Sequence, residues 1–302
     1  MITFLRRKKL GISSAKGIAT WMTGDSSVSN IFWQGDGVNI IRNDQLHRPE
    51  VKAVLKETDL LVRWGVTSPT GIPQAKQINC SEGIHAVSDK AGSAYLMAEH
   101  GLTTPVSMNL NDARYLQYPV ILRPRHHAQG KNLWRVDSYE ALVQMVNTNP
   151  ALSNGWYARE YVPKVWEGRV YVASGHVVTV AEKTPDNPDA IAWNVAQGGR
   201  FDVMKWGAWP MEACRVACEA MSLFPIDFGG VDVMMDEAGK AYVIEINSAP
   251  SLPYLSDGSV SYRQKCMGKV FKYWSEKGAP SSDGVSFNNW KECIHPAIQE
   301  YK

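Results

Sequence analysis

Three residues near the middle of the second half, Asp232, Glu245 and Asn247, carry side-chain oxygens where two strands would otherwise be apolar. They lie in GGVDVMMDEAGKAYVIEINSAPSL, Gly229 to Leu252. In the second strand Tyr242, Ile244 and Ile246 alternate with Val243, Glu245 and Asn247, so a strand period of two puts Glu245 and Asn247 on one face. The turn Glu237-Ala238-Gly239-Lys240 suits a hairpin, and folding there sets Asp232 opposite Glu245. Two carboxylates and an amide oxygen form a hard donor set of the kind that holds Mg²⁺, whose shell is completed by water and substrate phosphates. The competing reading is an edge hairpin whose polar face meets water.

Basic residues upstream bear on that choice. Pro119 to Leu122 is an apolar run ending in Arg123, and Pro124 to Gly130 reads as a loop. The loop holds Arg125, His126, His127, Gln129 and Gly130, followed by Lys131. Such a basic, Gly-containing loop can give N–H groups and cations to phosphate oxygens. Adjacent histidines also raise a zinc site, but neighbours on an extended chain face opposite ways, and no Cys or acidic residue has ligand spacing. Lys90 falls in the first turn of a helix capped by Ser88 or Asp89 and ended by Gly101, where a solvated surface lysine is the alternative. Glu167 and Arg169 share a face of the strand Trp166 to Ala173, which pairs with His176 to Glu182 about Ser174-Gly175. A surface Glu–Arg pair would be worth little there. EKTPDNPDAIAWNVAQGGRF, with Lys183 and Asn194, reads as a loop over the site.

The hairpin resembles the metal-binding end of the ATP-grasp superfamily, in which an Asp is followed by a Glu and an Asn two apart, ahead of a Pro-containing turn. Other family parts stand upstream in order: SDKAGSAYLMAEHGLTTP, YPVILRPRHHAQGKN and REYVPKVWEGRVYV. The resemblance covers about Asn79 to Leu252. INCSEGIHAVSDK and the E-G-R of Glu167 to Arg169 are most similar to the RimK branch, the glutamate ligases, including its phage members. The resemblance implies an α/β, ATP-grasp fold with α+β lobes, the nucleotide between two lobes and a small N-terminal α/β domain in front. It further implies that Lys90 and Arg123 touch phosphates, although the family more often has Lys at position 123. Glu160 and the backbone of Tyr161 and Val162 would face adenine, Glu167 would hold ribose, and Arg169, Lys183 and Asn194 would serve the transferred phosphoryl group. The implied cofactors are ATP and Mg²⁺, with Mn²⁺ able to substitute and two ions expected. The implied reaction is carboxylate–amine ligation through an acylphosphate, with release of ADP and phosphate. A phosphotransferase or a non-catalytic nucleotide-binding regulator is the alternative on such a scaffold.

The elements that must position these residues are expected in three parts. Residues 1–85 form an α/β domain; 86–155 form a small lobe with a helix from Ser138 to Val146 opened by an Asp137-x-x-Glu140 box; 156–302 form a large lobe with a C-terminal helix near Ser261 to Lys277. Pro210 starts another helix in PMEACRVACEAMSLF, burying Cys214 and Cys218. The 302 residues are 44% apolar, enough for a large core, and a net charge of +2 does not call for nucleic acid. No stretch spans a membrane, RRKK at Arg6 to Lys9 has no following apolar run, and five cysteines without a CxxC suit reduced packing in a cytoplasmic protein. Eleven tryptophans, among them Trp134, Trp156, Trp166, Trp193, Trp206 and Trp209, offer either core volume or an aromatic surface for a substrate. The carboxylate and amine partners are not readable, and a peptide or protein tail fits as well as a small molecule.

Overall fold

A computed structural model of the chain describes residues 1–9, 11–29, 31–126, 133–187, 190–193, 198–278 and 292–301. The first layer contains β1 (Ile2–Arg6), α1 (Ile12–Thr23), β2 (Trp33–Gln34), β3 (Val38–Arg42), α2 (Pro49–Lys56), β4 (Leu60–Trp64) and β5 (Gln77–Ile78). The strands form a sheet of order β2-β3-β1-β4-β5, parallel except for the edge strand β2. ITFLR, VNIIR and LLVRW are nearly continuous apolar runs because helices cover both faces. Phe4, Ile40 and Val62 join the core under α1, while their neighbours Leu5, Ile41 and Leu61 pack with Val51, Val54 and Leu55 of α2.

The second part contains α3 (Ser81–Ser88), α4 (Lys90–Glu99), β6 (Ser107–Asn109), β7 (Val120–Pro124), β8 (Trp134–Val136), α5 (Tyr139–Thr148) and β9 (Trp156–Glu160). Its strands make an antiparallel sheet, β6-β9-β7-β8, over a separate core of Val120, Leu122, Val136, Leu142 and Ala158. The Asp89 side chain caps α4 by accepting from Gly92 N at 3.1 Å. The expected capping box at Asp137 and Glu140 is shifted: Ser138 is the cap, accepting from Ala141 N at 3.2 Å, while Asp137 accepts from Arg135 Nε at 2.8 Å. The arginine two residues back competes for the aspartate, and the hydroxyl takes the helix donor.

The third part contains β10 (Trp166–Ala173), β11 (His176–Thr184), β12 (Arg200–Val203), α6 (Met211–Ser222), β13 (Phe228–Met235), β14 (Ala241–Asn247) and α7 (Tyr262–Lys277). The strands form an antiparallel sheet of order β12-β11-β10-β13-β14. Ser174 (φ 47°) and Gly175 (φ 72°) both take left-handed conformations, which suits the twist of a two-residue hairpin. One face of this sheet is packed by α6 through Ala213, Cys214, Ala217 and Cys218. α7 lies against α1 and carries Phe271, which makes edge contacts with Phe4 at 5.4 Å and Phe228 at 5.2 Å. A single apolar core therefore runs from the first sheet to the third, whereas the second sheet keeps its own. All five cysteines are buried and none is in a disulfide, and no helix among the described residues is long and apolar enough to cross a membrane.

Candidate active site

A cavity of about 840 Å³ opens between the second and third sheets, and the start of α1 closes one end. Each wall is a strand face. β10 contributes Glu167 and Arg169, β11 Lys183, β13 Asp232 and Met234, and β14 Ile244, Glu245 and Asn247. From the second sheet come Ile121, Arg123 and Arg159, and from the strand-to-strand hinge Glu160, Tyr161, Val162 and Lys164.

A β-bulge determines what β14 presents. Asp232 pairs with Glu245 as the alternation implied, but Val233 pairs with Val243, so Ile244 has no opposite residue. The extra residue reverses the phase of the strand. Val243 and Ile246 are buried in the core, while Ile244, Glu245 and Asn247 all line the cavity. The sequence alternation had put Val243 with Glu245 and Ile244 with Ile246; both assignments are reversed by the bulge.

The charged groups are interlocked. Arg169 donates two bonds to Asp232, Nε at 2.6 Å and Nη2 at 2.9 Å. Lys183 Nζ bridges Glu167 Oε1 at 2.6 Å and Asp232 Oδ2 at 3.0 Å, and Lys164 pairs with the other oxygen of Glu167. Arg123 Nη2 donates to Glu245 Oε2 at 3.1 Å. Burial alone would push the Asp232 and Glu167 carboxyls up, but the cations beside them hold both below the usual carboxylate range. Burial would lower the Lys183 ammonium, yet Asp232 and Glu167 raise it. Lys164 is lowered, chiefly by burial. Around the cavity, Arg123, Arg159, Lys164, Arg169, Lys183 and Arg263 outnumber the carboxylates Glu167, Asp232, Glu245 and Glu160, the last of which accepts from Gln117 N. This excess of buried positive charge is expensive unless an anion arrives to offset it.

Lys90 does not line the cavity. Its buried ammonium sits behind the wall, donating to Ile246 O at 2.8 Å with Glu245 Oε1 at 3.9 Å, and burial lowers its pKa. Arg125 is engaged by Asp89 (Nη2 to Oδ2, 2.7 Å) and His126 Nδ1 lies 3.2 Å from Ser88 O, so the start of the basic loop is tied to the cap of α4. His127, Gln129, Gly130, Lys131 and Asn194 fall outside the described residues. Glu160 Oε1 accepts from Gln117 N at 3.0 Å, and Tyr161 N donates to Pro119 O at 3.0 Å, which holds the hinge against the second sheet.

Sequence reasoning missed Arg159, Lys164, Met234 and Arg263. Arg159 is buried in β9 and donates to Ser107 Oγ at 2.9 Å and Ile244 O at 2.8 Å, clasping the two sheets together. Its charge within an otherwise apolar-alternating strand was the available signal. Met234 was equally legible, being two residues from Asp232 on the same strand face. No tryptophan among the described residues lines the cavity: Trp134 stacks on Trp156 at 4.7 Å, Trp206 packs edge-on to Trp209, and the cavity's aromatic surface comes from Tyr161 and Phe201.

The donor set fits a hard divalent cation. Asp232 and Glu245 face each other across the ladder, and Asn247 donates Nδ2 to Glu245 Oε1 at 3.2 Å, which leaves its Oδ1 as an acceptor. Among the described residues no cluster of three His, Cys, Asp or Glu side chains forms a metal centre. Two carboxylates and an amide suit an ion that draws its remaining ligands from phosphate and water.

Comparison with known proteins gives the same frame. The fold is similar to that of an L-amino acid ligase from Bacillus licheniformis (TM-score 0.56, 15% identity, 90% of this chain and 74% of that one). It is also similar to a D-alanine–D-alanine ligase from Bacillus anthracis complexed with ATP (0.57, 18%, 91% and 98%) and to the ATP-grasp ligase PsnB complexed with minimal precursor (0.60, 12%, 90% and 98%). No curated protein matches in sequence. Residues 87–261, more than half of the chain, match the RimK-like ATP-grasp domain. By that match the chain belongs to the RimK-like ATP-grasp family, and it has the fold of ATP-grasp ligases.

Proposed function

We propose that the cavity joins a carboxylate to an amine at the expense of ATP. The substrate carboxylate takes the γ-phosphoryl group to give an acylphosphate and ADP, and the amine then displaces phosphate to form an amide. The observation that carries this reading is the buried excess of cations beside a hard-oxygen hairpin, an environment suited to a polyphosphate and to the charge of phosphoryl transfer. The adenine would lie at the hinge, against Tyr161 and Val162 with Met234 and Ile244 as apolar walls. Asp232, Glu245 and Asn247 would hold Mg²⁺, as two ions, with Mn²⁺ as a substitute; the metal supplies neutralisation of phosphate charge.

Arg123, with Lys131 and the rest of the 127–131 loop, would offset the triphosphate. Lys90 acts from behind the wall by orienting Glu245 and the Ile246 carbonyl. Arg169 and Lys183, paired with Asp232 and Glu167, present cations at the transfer site without an ordering step, and Asn194 would join them there. Glu167 would meet the ribose while anchoring Lys164 and Lys183. Enclosure between the sheets keeps water from an acylphosphate.

The same reading divides the chain at about residues 85 and 155, one sheet to each part, with β9 crossing into the sheet of the middle part. Five cysteines without a disulfide suit a cytoplasmic location. Phosphorus NMR and mass spectrometry of the protein with Mg-ATP and pools of carboxylates, amines and peptides test the reaction. ADP, phosphate and a new mass equal to acid plus amine minus water are expected, and EDTA should stop them. A product heavier by one phosphoryl group would instead mean a kinase, and binding without turnover a regulator.

A further inference from the structure

Two buried cations at the cavity, Arg159 and Arg263, make no ion pair among the described residues, and Arg159 donates to Ser107 Oγ and the Ile244 carbonyl. Arg263, in the first turn of α7, is 6% exposed, lines the cavity and makes no ion pair among the described residues. Among the described residues its side chain has one hydrogen bond, a long contact from Nη1 to Tyr171 Oη at 3.4 Å, and its buried Nε has no partner. Its guanidinium lies 5.9 Å from the centre of the Phe201 ring, which Arg169 and Lys183 also approach, at 5.2 and 5.5 Å. Arg263 thus stands at the same end of the cavity as the cations of the transfer site, yet is held differently from them.

The start of α1 lines the same cavity and is tied to α7 by Gln264, the residue after Arg263. Gly11, Ile12, Ser13 and Ser14 line the cavity, and this 12-residue helix has no side-chain cap and no acidic residue in its first turn. The arrangement is fixed from several sides. Gln264, fully buried, donates to Ser13 O at 2.8 Å and to Leu252 O at 2.9 Å, while its other amide atom completes the capping box with Ser261. Ser14 Oγ accepts from Leu252 N at 2.9 Å, and Tyr171 donates to Ser251 O at 3.0 Å. Uncapped helix N–H groups and a guanidinium without an acid partner among the described residues, lining one cavity, are both suited to an anion.

We propose that Arg263 and the N-terminus of α1 form a carboxylate-binding subsite that selects a substrate by a carboxylate that does not react. This rests on the ligase reading of the cavity. The group belongs either to the amine substrate, beside its nucleophilic nitrogen, or to the carboxylate substrate as a second acid. A planar carboxylate matches the guanidinium fork, and an amide in its place would leave Arg263 buried and unpaired.

Arg263→Met, which keeps the apolar stem, tests this without needing turnover. In wild type, glutarate and L-glutamate should raise the melting temperature at constant ionic strength, while neutral glutaramide should not. Arg263→Met should abolish that shift, melt no lower than wild type, and keep its stabilisation by Mg-ATP. An equal carboxylate shift in the variant, or none in wild type, overturns the subsite; a lower melting temperature with no change in carboxylate response means a packing role. Failure of wild type to bind Mg-ATP would count against the ligase reading instead. Once turnover is found, the variant should raise KM about 100-fold for the substrate that supplies the carboxylate and leave KM for its amide analogue unchanged, which identifies the source.

Discussion

Lys183→Met removes an ammonium that lies 2.6 Å from Glu167 and 3.0 Å from Asp232, all three side chains being buried. Deleting one member of a buried ion cluster costs about 3–5 kcal/mol because charge is left uncompensated. Lys164 and Arg169 still neutralise one carboxylate each, which puts the loss at the lower end, ~3 kcal/mol. At about 2.1 cal/mol/K per residue, 302 residues give an unfolding entropy of ~0.6 kcal/mol/K, so the melting temperature should fall by ~5 °C near neutrality. The pH dependence follows from the directions of the shifts. Glu167 and Asp232 have depressed values in the folded state, so their stabilisation is complete above the unfolded value of about 4 and is lost as pH falls through the folded value. Lys183 is raised, so its stabilisation is complete below about 10.4 and is lost as pH rises through its folded value. The gap between variant and wild type should therefore be full between about pH 5 and 10 and narrow on either side. Scanning fluorimetry across pH 3–11 measures it. A gap below about 1 °C at pH 7, or one that stays constant down to pH 3, would refute the claim that this cluster is held by its charges.

Three further outcomes are expected. Glu245→Gln should keep the circular dichroism of wild type while Mg-ATP turnover falls at least about 100-fold, since the donor set loses a charge; retained turnover would sink the metal assignment. Gly230→Ala would put a Cβ 2.8 Å from Arg169 Cδ and 3.0 Å from Pro250 Cβ, displacing the guanidinium from Asp232. Turnover should drop about 10- to 100-fold, and an unchanged rate would show that Arg169 tolerates displacement. His295, held neutral by burial and by nearby His176, has its pKa pushed down to about 3. Its stabilisation is present above the unfolded value of about 6.5 and is lost as pH falls toward 3, at up to ~1.4 kcal/mol per pH unit. Wild type should thus lose more melting temperature than His295→Phe between pH 7 and 5, and parallel curves would refute that.

Local chemistry written in adjacent residues was legible before any folding. The oxygen-bearing hairpin, the Asp89 cap, the Ser174-Gly175 turn and the helix of Cys214 and Cys218 each depend on spacing within one or two elements, and strand and helix periods convert spacing into faces. The family resemblance added order to these parts. Tertiary structure decided what distance along the chain conceals. The bulge that turns Ile244 toward the cavity arises from pairing with β13, and a single strand read alone carries no sign of it. Lys90 moved behind the wall because the carbonyl of Ile246, 156 residues away, takes its ammonium. Arg159 became a clasp between sheets only where β9 meets β14, and Arg263 reads as an ordinary helix residue until Tyr171 and Phe201 place it in the cavity that the start of α1 also lines. The sequence alone determined which kinds of groups the site contains, because side-chain chemistry is local. Which charges are paired, and which is left for a ligand, was decided only by folding, because pairing and desolvation are properties of neighbours in space.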